Sequence, residues 1–357
     1  MEFRHPIVAA PMAGGPSSTA LARAVASTGA LGFLGGGNKT ARQLTEDYRA
    51  VEDAGAVGVN LFVPDMANTA VDPVRSRVQR TEKLVAFREQ LLPFAQRLDV
   101  ELPTVQEAGA DVSDDWDAKL NAAHAWPIVS FTFGLPAPEV FERLHGTHTQ
   151  VGVTVTTVAE ARNAVEHGAD FLVVQGPEAG GHRSVHDPQA EPEDVPLLEL
   201  LDAVSREVDV PLVAAGGIVT PDHVHEVLRH GASAASVGTA LLLSDEAGTN
   251  PIHRKMLQED RSGETKLTRV YSGRVSRSLV NEFMALDAPA VYPEVNALTA
   301  PIKRAATAAM DPRSTHLFAG TGYLHARTGP AAEIVRWLAG NRHDDAAPRS
   351  QGLYLSP

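Results

Sequence analysis

The chain has 357 residues, with 31 lysines and arginines against 44 aspartates and glutamates, and a formal net charge of −13. Its 43% hydrophobic and 21% charged residues are typical of a globular protein and exclude disordered and fibrous classes. The negative charge leaves no overall positive field for nucleic acid, so we expect no nucleic-acid partner. There is no cysteine, which excludes disulfides, thiolate nucleophiles and cysteine-based metal sites.

Short apolar runs alternate with segments that suit helices along the whole chain. The runs cover residues 6–10, 31–34, 57–62, 128–133, 151–155, 171–174, 212–215 and 235–237, and helix candidates between them include 18–27, 41–54, 158–167 and 221–230. Thr220 and Pro221 supply a cap and a first helical residue for the last of these helices. This alternation is the signature of βαβ units.

Eight strand–helix units predict a (β/α)8 TIM barrel, because near-continuous apolar strands suit burial on both faces. An open doubly wound sheet is the alternative. Two segments exceed a minimal barrel: residues 64–126, where the pattern predicts two helices, and residues 244–303, which we expect to form a smaller subdomain that covers the barrel mouth. The predicted barrel then comprises 1–243 with 304–341, and the polar stretch 342–357 is expected to be mobile.

Residues 1–11 lack the basic and apolar regions of a secretory signal. No apolar run approaches the roughly 18–20 residues that span a bilayer. We therefore expect a cytoplasmic protein with no membrane association, and leave open whether it is a monomer or a homodimer.

Glycine-rich loops follow the predicted strands at the end where barrel active sites lie. The pairs after the seventh and eighth strands stand where many barrels bind phosphate through backbone N–H groups. Either pair alone is equally typical of a tight turn. The predicted phosphate-binding residues are Gly216, Gly217, Ser236, Val237, Gly238 and Thr239.

Three polar residues near the predicted strand ends are candidates for binding and chemistry. The amides of Asn60 and Gln175 can donate and accept at once, which suits the edge of a heteroaromatic ring; capping of neighbouring loops is the alternative. His182 can act as a base or as a cation for an anionic substrate, or can simply bond to its own loop. No carboxylate pattern completes a metal site, so we expect none. A ring cofactor would supply the demanding chemistry.

These segments resemble the nitronate monooxygenase family, formerly called 2-nitropropane dioxygenases. The resemblance covers about residues 6–340 and rests on PIVAAPMAGG, LGFLGGG, GVNLFVP, VSFTFGLP, VVQGPEAGGHRS, PLVAAGGI and SVGTALLLSDEA. It implies an FMN-containing TIM barrel that oxidises alkyl nitronates, such as propionate 3-nitronate, with O₂ to a carbonyl compound and nitrite. Its expected partners are thus a small nitronate or nitroalkane and O₂.

The resemblance also implies roles for individual residues. Ala10, Pro11 and Met12 would line the flavin, Asn60 and Gln175 would contact its polar edge, Gly180 and Gly181 would lie against the ring, and Gly217 with residues 236–239 would hold the phosphate. His182 would deprotonate a neutral nitroalkane or orient an anionic nitronate. Many family members carry a second histidine where this chain has Thr132, which puts the use of neutral nitroalkanes in question.

Three other functions compete with this interpretation. An FMN-dependent enoyl-[acyl carrier protein] reductase would need a basic patch for its acidic carrier, for which Arg75, Arg77, Arg80 and Lys83 are candidates. A phosphate-binding isomerase or lyase without redox activity would use the same glycine pairs. A flavoprotein that binds FMN without turnover would share the cofactor residues.

Overall fold

The computed structural model of the chain describes residues 4–64, 73–110 and 115–340, with their side chains except at 73–77 and 110. The strands are β1 (Ile7–Ala9), β2 (Gly32–Gly35), β3 (Val57–Phe62), β4 (Ile128–Thr132), β5 (Gln150–Val155), β6 (Phe171–Gln175), β7 (Gly181–His182), β8 (Leu212–Ala215), β9 (Ala234–Val237), β10 (Thr265–Thr268) and β11 (Ser276–Leu279). The α-helices are α1 (Thr19–Ala26), α2 (Ala41–Arg49), α3 (Pro73–Arg97), α4 (Val105–Ala110), α5 (Trp116–Ala123), α6 (Pro138–His145), α7 (Val158–Glu166), α8 (Leu197–Ser205), α9 (Pro221–Arg229), α10 (Pro251–Glu259), α11 (Glu294–Ala308) and α12 (Ala331–Leu338). No helix within these ranges is long and apolar enough to cross a membrane. The tail for which we predict mobility, residues 342–357, lies outside the described residues.

Eight parallel strands form one sheet in the order β1-β9-β8-β6-β5-β4-β3-β2. They are the eight strands predicted from the apolar runs. A bridge between Val8 and Leu31 joins the two ends of this order, and the N–H of Ala9 donates to the Leu31 carbonyl at 2.9 Å. The sheet therefore curls into a nearly closed barrel, which confirms the predicted TIM barrel over an open sheet.

Two apolar layers stabilise the barrel. Inward-facing side chains, among them Val8, Phe33 and Phe171, fill its interior. Gly152 on β5 makes room for one of them, since a Cβ there would lie 2.2 Å from the Phe171 ring. A larger apolar layer lies between the strands and the surrounding helices. Together these layers fix the strand ends, where the loops of interest begin.

A second core lies beside the barrel and supports the part of the chain that covers its mouth. It joins Phe87 and Leu91 of α3 with Tyr271, Phe283 and Ile302 of the region from 265 to 308. The small antiparallel sheet β10-β11-β7 connects this region to the loop after β6. The cover is thus built from two stretches that are far apart in sequence.

One element prediction was wrong. Residues 64–126 hold three helices within their described part, α3, α4 and α5, and not two. Helix α3 runs for 25 residues and continues through Pro93. The predicted boundary at residue 303 falls inside α11, and the division into a barrel and a covering subdomain remains a prediction.

Candidate active site

The loops at the C-terminal ends of the barrel strands surround one cavity of about 350 Å³. Of the predicted site residues, it is lined by Ala10, Pro11, Met12, Asn60, Gln175, Gly180, Gly181, His182, Gly216, Gly217, Ser236, Gly238 and Thr239. The exception is Val237, whose side chain is fully buried in the layer between strands and helices. Side chains alternate along a strand, so Ser236 faces the cavity and Val237 faces away from it.

The turns after β8 and β9 present bare backbone to the cavity. Gly217 has a φ of +66°, and a Cβ there would lie 3.1 Å from Glu178 Cβ and 3.2 Å from Thr321 Oγ1. Within the described part of the chain, the N–H groups of Gly217 and Gly238 have no hydrogen-bond acceptor. Both glycines are half-buried and line the cavity, so their N–H groups can donate to an anionic oxygen bound there.

Asn60 belongs to a polar cluster on the inner wall of the barrel. Its Nδ2 donates to Ser130 Oγ and to Thr132 Oγ1, both at 2.9 Å, and Thr132 Oγ1 lies 3.2 Å from Thr154 Oγ1. Asn60 is 1% exposed and still lines the cavity. Its amide nitrogen is thereby fixed in direction, and the amide oxygen remains for a ligand.

Gln175 holds the loop that carries His182. Its Nε2 donates to the His182 carbonyl at 3.0 Å, and its Oε1 accepts from the Ser184 N–H at 2.9 Å. The sequence alternatives for this amide were a cofactor edge or a neighbouring loop. Both the nitrogen and the oxygen of the amide bond to the loop, and one Nε2 hydrogen remains for a ligand in the cavity.

His182 is positioned by strand pairing and by neighbouring rings. It pairs with Ser276 of β11, and its Nε2 lies 2.7 Å from Ser272 Oγ. The rings of Phe133 and Phe318 pack edge-on against the imidazole, with centroid distances of 5.8 and 5.3 Å. The imidazole therefore has one defined orientation at the cavity wall.

The surroundings of His182 keep its imidazole neutral. Burial is the largest cause, followed by the positive charges of Arg274 and Lys303, and together they lower the pKa to about 3. Ser272 Oγ accepts from the Arg274 N–H at 3.3 Å, so its own hydrogen is available to His182 Nε2. That assignment puts the imidazole hydrogen on Nδ1.

The cover contributes polar residues that were not among the predicted site residues. Lys303 is 9% exposed, and its Nζ donates to the Tyr271 carbonyl at 2.6 Å and to Asn296 Oδ1 at 2.8 Å. Burial, with a smaller effect of Arg304, lowers its pKa to about 7. Lys303 lies on α11 and Tyr271 in the second core, so neither position follows a barrel strand, where the sequence directed attention.

Two further histidines face the same cavity. Burial lowers the pKa of His253 to about 4 and that of His316 to about 3, the latter also through the charge of Lys303. His253 Nε2 and His316 Nδ1 have no hydrogen-bond partner in the described part of the chain. Among the described residues that line the cavity there is no Asp or Glu, and Lys303 is the one Lys or Arg. The cavity is therefore suited to anionic ligands.

Fold and site place the chain among TIM-barrel enzymes, whose active sites lie at this end of the barrel. A family model described as Nitronate monooxygenase matches residues 2–340. The chain therefore belongs to the nitronate monooxygenase family and is an oxidoreductase. Membership of this family implies a flavin cofactor.

Individual relatives agree with the family model. A probable nitronate monooxygenase of Bacillus subtilis (strain 168) is 30% identical over 326 residues, which are 89% of this chain and 90% of the relative. Another from Staphylococcus aureus (strain MSSA476) is 30% identical over 348 residues, 94% of this chain and 93% of the relative. A solved nitroalkane oxidase from Streptomyces ansochromogenes is 39% identical with a TM-score of 0.86, and covers 94% of this chain and 95% of its own.

A more distant structure shares the fold alone. FabK from Thermotoga maritima is 21% identical with a TM-score of 0.68, and the match covers 94% of this chain and 92% of the other.

Arg80, one of the candidates for a basic docking patch, is engaged in an ion pair with Glu294 at 2.7 Å. The same Nη2 atom also donates to the Tyr292 carbonyl at 3.0 Å.

The residues at the site fit a flavin that carries a phosphate. Gly217 and Gly238 provide N–H groups that no acceptor in the described part of the chain takes up, as a phosphate requires. A Cβ at Gly181 would meet no atom within 4 Å, so this backbone leaves open space where a flat ring could approach. Asn60 and Gln175 retain an oxygen and a hydrogen, respectively, for its polar edge.

Proposed function

We propose that the chain binds FMN and uses O₂ to oxidise anionic alkyl nitronates, such as propionate 3-nitronate, to a carbonyl compound and nitrite. The observation that carries the proposal is the charge of the cavity. A neutral His182 and a buried Lys303 face a space that is lined by no carboxylate from residues 4–64, 73–110 and 115–340. Family membership supports the reaction class.

The low pKa of His182 supports a substrate that arrives already ionised. With a pKa of about 3 in the ligand-free cavity, the imidazole is a weak base at neutral pH, because an efficient general base has a pKa close to the working pH. Deprotonation of a neutral nitroalkane is therefore the less favoured of the two roles left open for His182. Orientation of a nitronate through a donated hydrogen bond is the favoured one.

Each residue then has a defined task. Protonated Lys303 attracts the anion into the cavity, and Ser272 fixes the His182 tautomer so that Nδ1–H can donate to a nitronate oxygen. Phe133 and Phe318 exclude water from the imidazole. Bound FMN would supply the electron transfer between nitronate and O₂.

The test is an absorbance spectrum of the purified protein, followed by anaerobic addition of propionate 3-nitronate and then air. We expect flavin bands that bleach with nitronate and recover in air, with release of nitrite. Bleaching by NAD(P)H but not by nitronate would indicate a reductase. Flavin bands that respond to neither would indicate binding without turnover, and a protein that stays colourless after incubation with FMN would contradict the proposal outright.

A matched substrate pair tests the preferred ionisation state. Propionate 3-nitronate and 3-nitropropionate both carry the carboxylate and differ only in one proton on the carbon that bears the nitro group. The nitroalkane must be prepared fresh so that this carbon does not ionise during the assay. We expect turnover with the nitronate and much slower turnover with the nitroalkane. Equal rates from the first seconds onward would mean that His182 acts as a base.

A further inference from the structure

Lys303 is a buried amine with one open position on its nitrogen. Its two hydrogen bonds go to the Tyr271 carbonyl and to Asn296 Oδ1, and all three residues line the cavity. A neutral amine has two hydrogens and one lone pair, so two acceptors match this form and leave the lone pair in the remaining tetrahedral position. Within the described residues, Lys303 forms no ion pair that would hold it charged.

The groups around Lys303 also favour the neutral amine. Arg304 on its own helix is cationic, while His182 and His316 across the cavity are held neutral. Tyr271, beside it, has a pKa raised by burial to about 12 and carries no negative charge. With a pKa of about 7, roughly half of the Lys303 side chains are uncharged at neutral pH, against well under one in a thousand for an ordinary lysine.

We propose that Lys303 is a carbonyl-reactive residue that forms a reversible imine with an aldehyde in the cavity. The Nζ lone pair attacks the carbonyl carbon and a C–N bond forms. The two amine hydrogens pass to the former carbonyl oxygen, the C–O bond breaks and water leaves, so that a C=N bond remains. Nothing is oxidised or reduced, and water reverses the step. A neutral lysine with an accessible lone pair is the form that this chemistry requires.

The source of the aldehyde rests on the proposed function, because oxidation of a primary nitronate produces one in this cavity. While the anionic nitronate is bound, its charge favours the ammonium form of Lys303, which has no lone pair to attack with. Once nitrite has left, that effect is lost and the amine can capture the product. Lys303 thereby retains the aldehyde and causes product inhibition.

Reductive trapping tests this site without any turnover. The purified protein is incubated with propanal and sodium cyanoborohydride at neutral pH, which converts an imine into a stable propylamine, and the modified lysines are identified by peptide mass spectrometry. We expect Lys303 to be labelled on the order of a hundredfold faster than Lys255, an exposed lysine on α10. Labelling of Lys303 that is no faster than that of Lys255 overturns the proposal.

Two variants locate the reaction. Lys303→Arg keeps a cation, and Lys303→Met keeps an unbranched side chain only one heavy atom shorter. Neither can form an imine, so the fast labelling should disappear in both while Lys255 is labelled as before. Fast labelling that persists in a variant with an unchanged circular dichroism spectrum would assign the reaction to another residue. If both variants fail to fold, the wild-type peptide map alone decides.

The outcome is separable from that of the proposed function. Added propanal needs no nitronate. If Lys303 is labelled in a protein that releases no nitrite, the lysine is reactive as proposed but a nitronate is not the source of its aldehyde. If the protein releases nitrite but Lys303 is not labelled, the imine proposal is wrong and the proposed function stands.

Discussion

His182 owes its neutral state to its three-dimensional surroundings, since burial, Arg274 and Lys303 lower its pKa. We expect His182→Ala to reduce turnover of propionate 3-nitronate by about 10²–10³, the effect of removing one preorganised donor, while the flavin bands remain. His225→Ala, at an exposed position on α9, is the control and should leave turnover unchanged. Loss of flavin with unchanged turnover per bound flavin would contradict the catalytic role.

Lys303 should give nitronate binding a characteristic pH dependence. Its pKa is lowered to about 7, so the free enzyme carries the cation below this pH and loses it above. KM for propionate 3-nitronate should therefore rise with pH, at most about tenfold per unit, between about pH 7 and about 9. His182, with a pKa of about 3, stays neutral throughout this range.

A variant separates this effect from other titrations. Lys303→Arg keeps its charge over the whole range, because a guanidinium does not deprotonate there, so its KM should not rise. A rise of KM in Lys303→Arg equal to that of the wild type would assign the titration to another group.

The sequence predicted which residues after the barrel strands line the cavity, because the ends of parallel strands meet at one face whatever the details of packing. It did not predict His253 and His316 as site residues. They come from α10 and from the loop after α11, whose positions over the mouth depend on the second core. The sequence did not predict the position of Phe133 either. Its φ of +75° is unusual for a bulky residue, so a sequence pattern does not predict it.

At the scale of elements, the turn after β8 places a left-handed glycine at the proposed phosphate site. Gly217 has a φ of +66° and Gly231, which ends α9, has a φ of +93°. Alanine at either position should cost about 1–2 kcal/mol of stability, because both need the left-handed region. Only Gly217→Ala should also weaken FMN retention, measured by equilibrium dialysis. Equal flavin retention in the two variants would contradict the phosphate site.

Helices were harder to predict than strands, and residues 64–126 show why. The pattern alone did not reveal that α3 continues through Pro93, where contacts of Leu91 and Ala95 with the second core stabilise it. The short α4 did carry a signal, since Thr104 and Glu107 cap each other across its first turn. A six-residue helix has little periodicity of its own, so only this cap marks it.

At the scale of the whole molecule, the cavity histidines link ligand binding to acid stability. His182, His253 and His316 are held neutral by burial, with pKa values of about 3, 4 and 3. Unfolding releases them to ordinary values near 6.5. Below that pH the unfolded chain binds more protons than the folded one, so stability must fall as pH falls. Conversely, an anion in the cavity should reduce this loss, because it raises the pKa values of the folded state.

His253 allows this loss to be measured at one residue. It is 4% exposed, its Nε2 has no partner in the described part of the chain, and its pKa is lowered to about 4. Because of this histidine, the unfolding free energy of the wild type should fall by ~2 kcal/mol between pH 7 and about pH 5. His253→Asn should not show this part of the fall. Urea unfolding at both pH values should therefore show the stability gap between variant and wild type narrowing by that amount in acid. His225→Asn removes an exposed imidazole and controls for the substitution itself. If the stability difference between His253→Asn and the wild type stays constant with pH, the His253 imidazole takes up its proton in the folded protein.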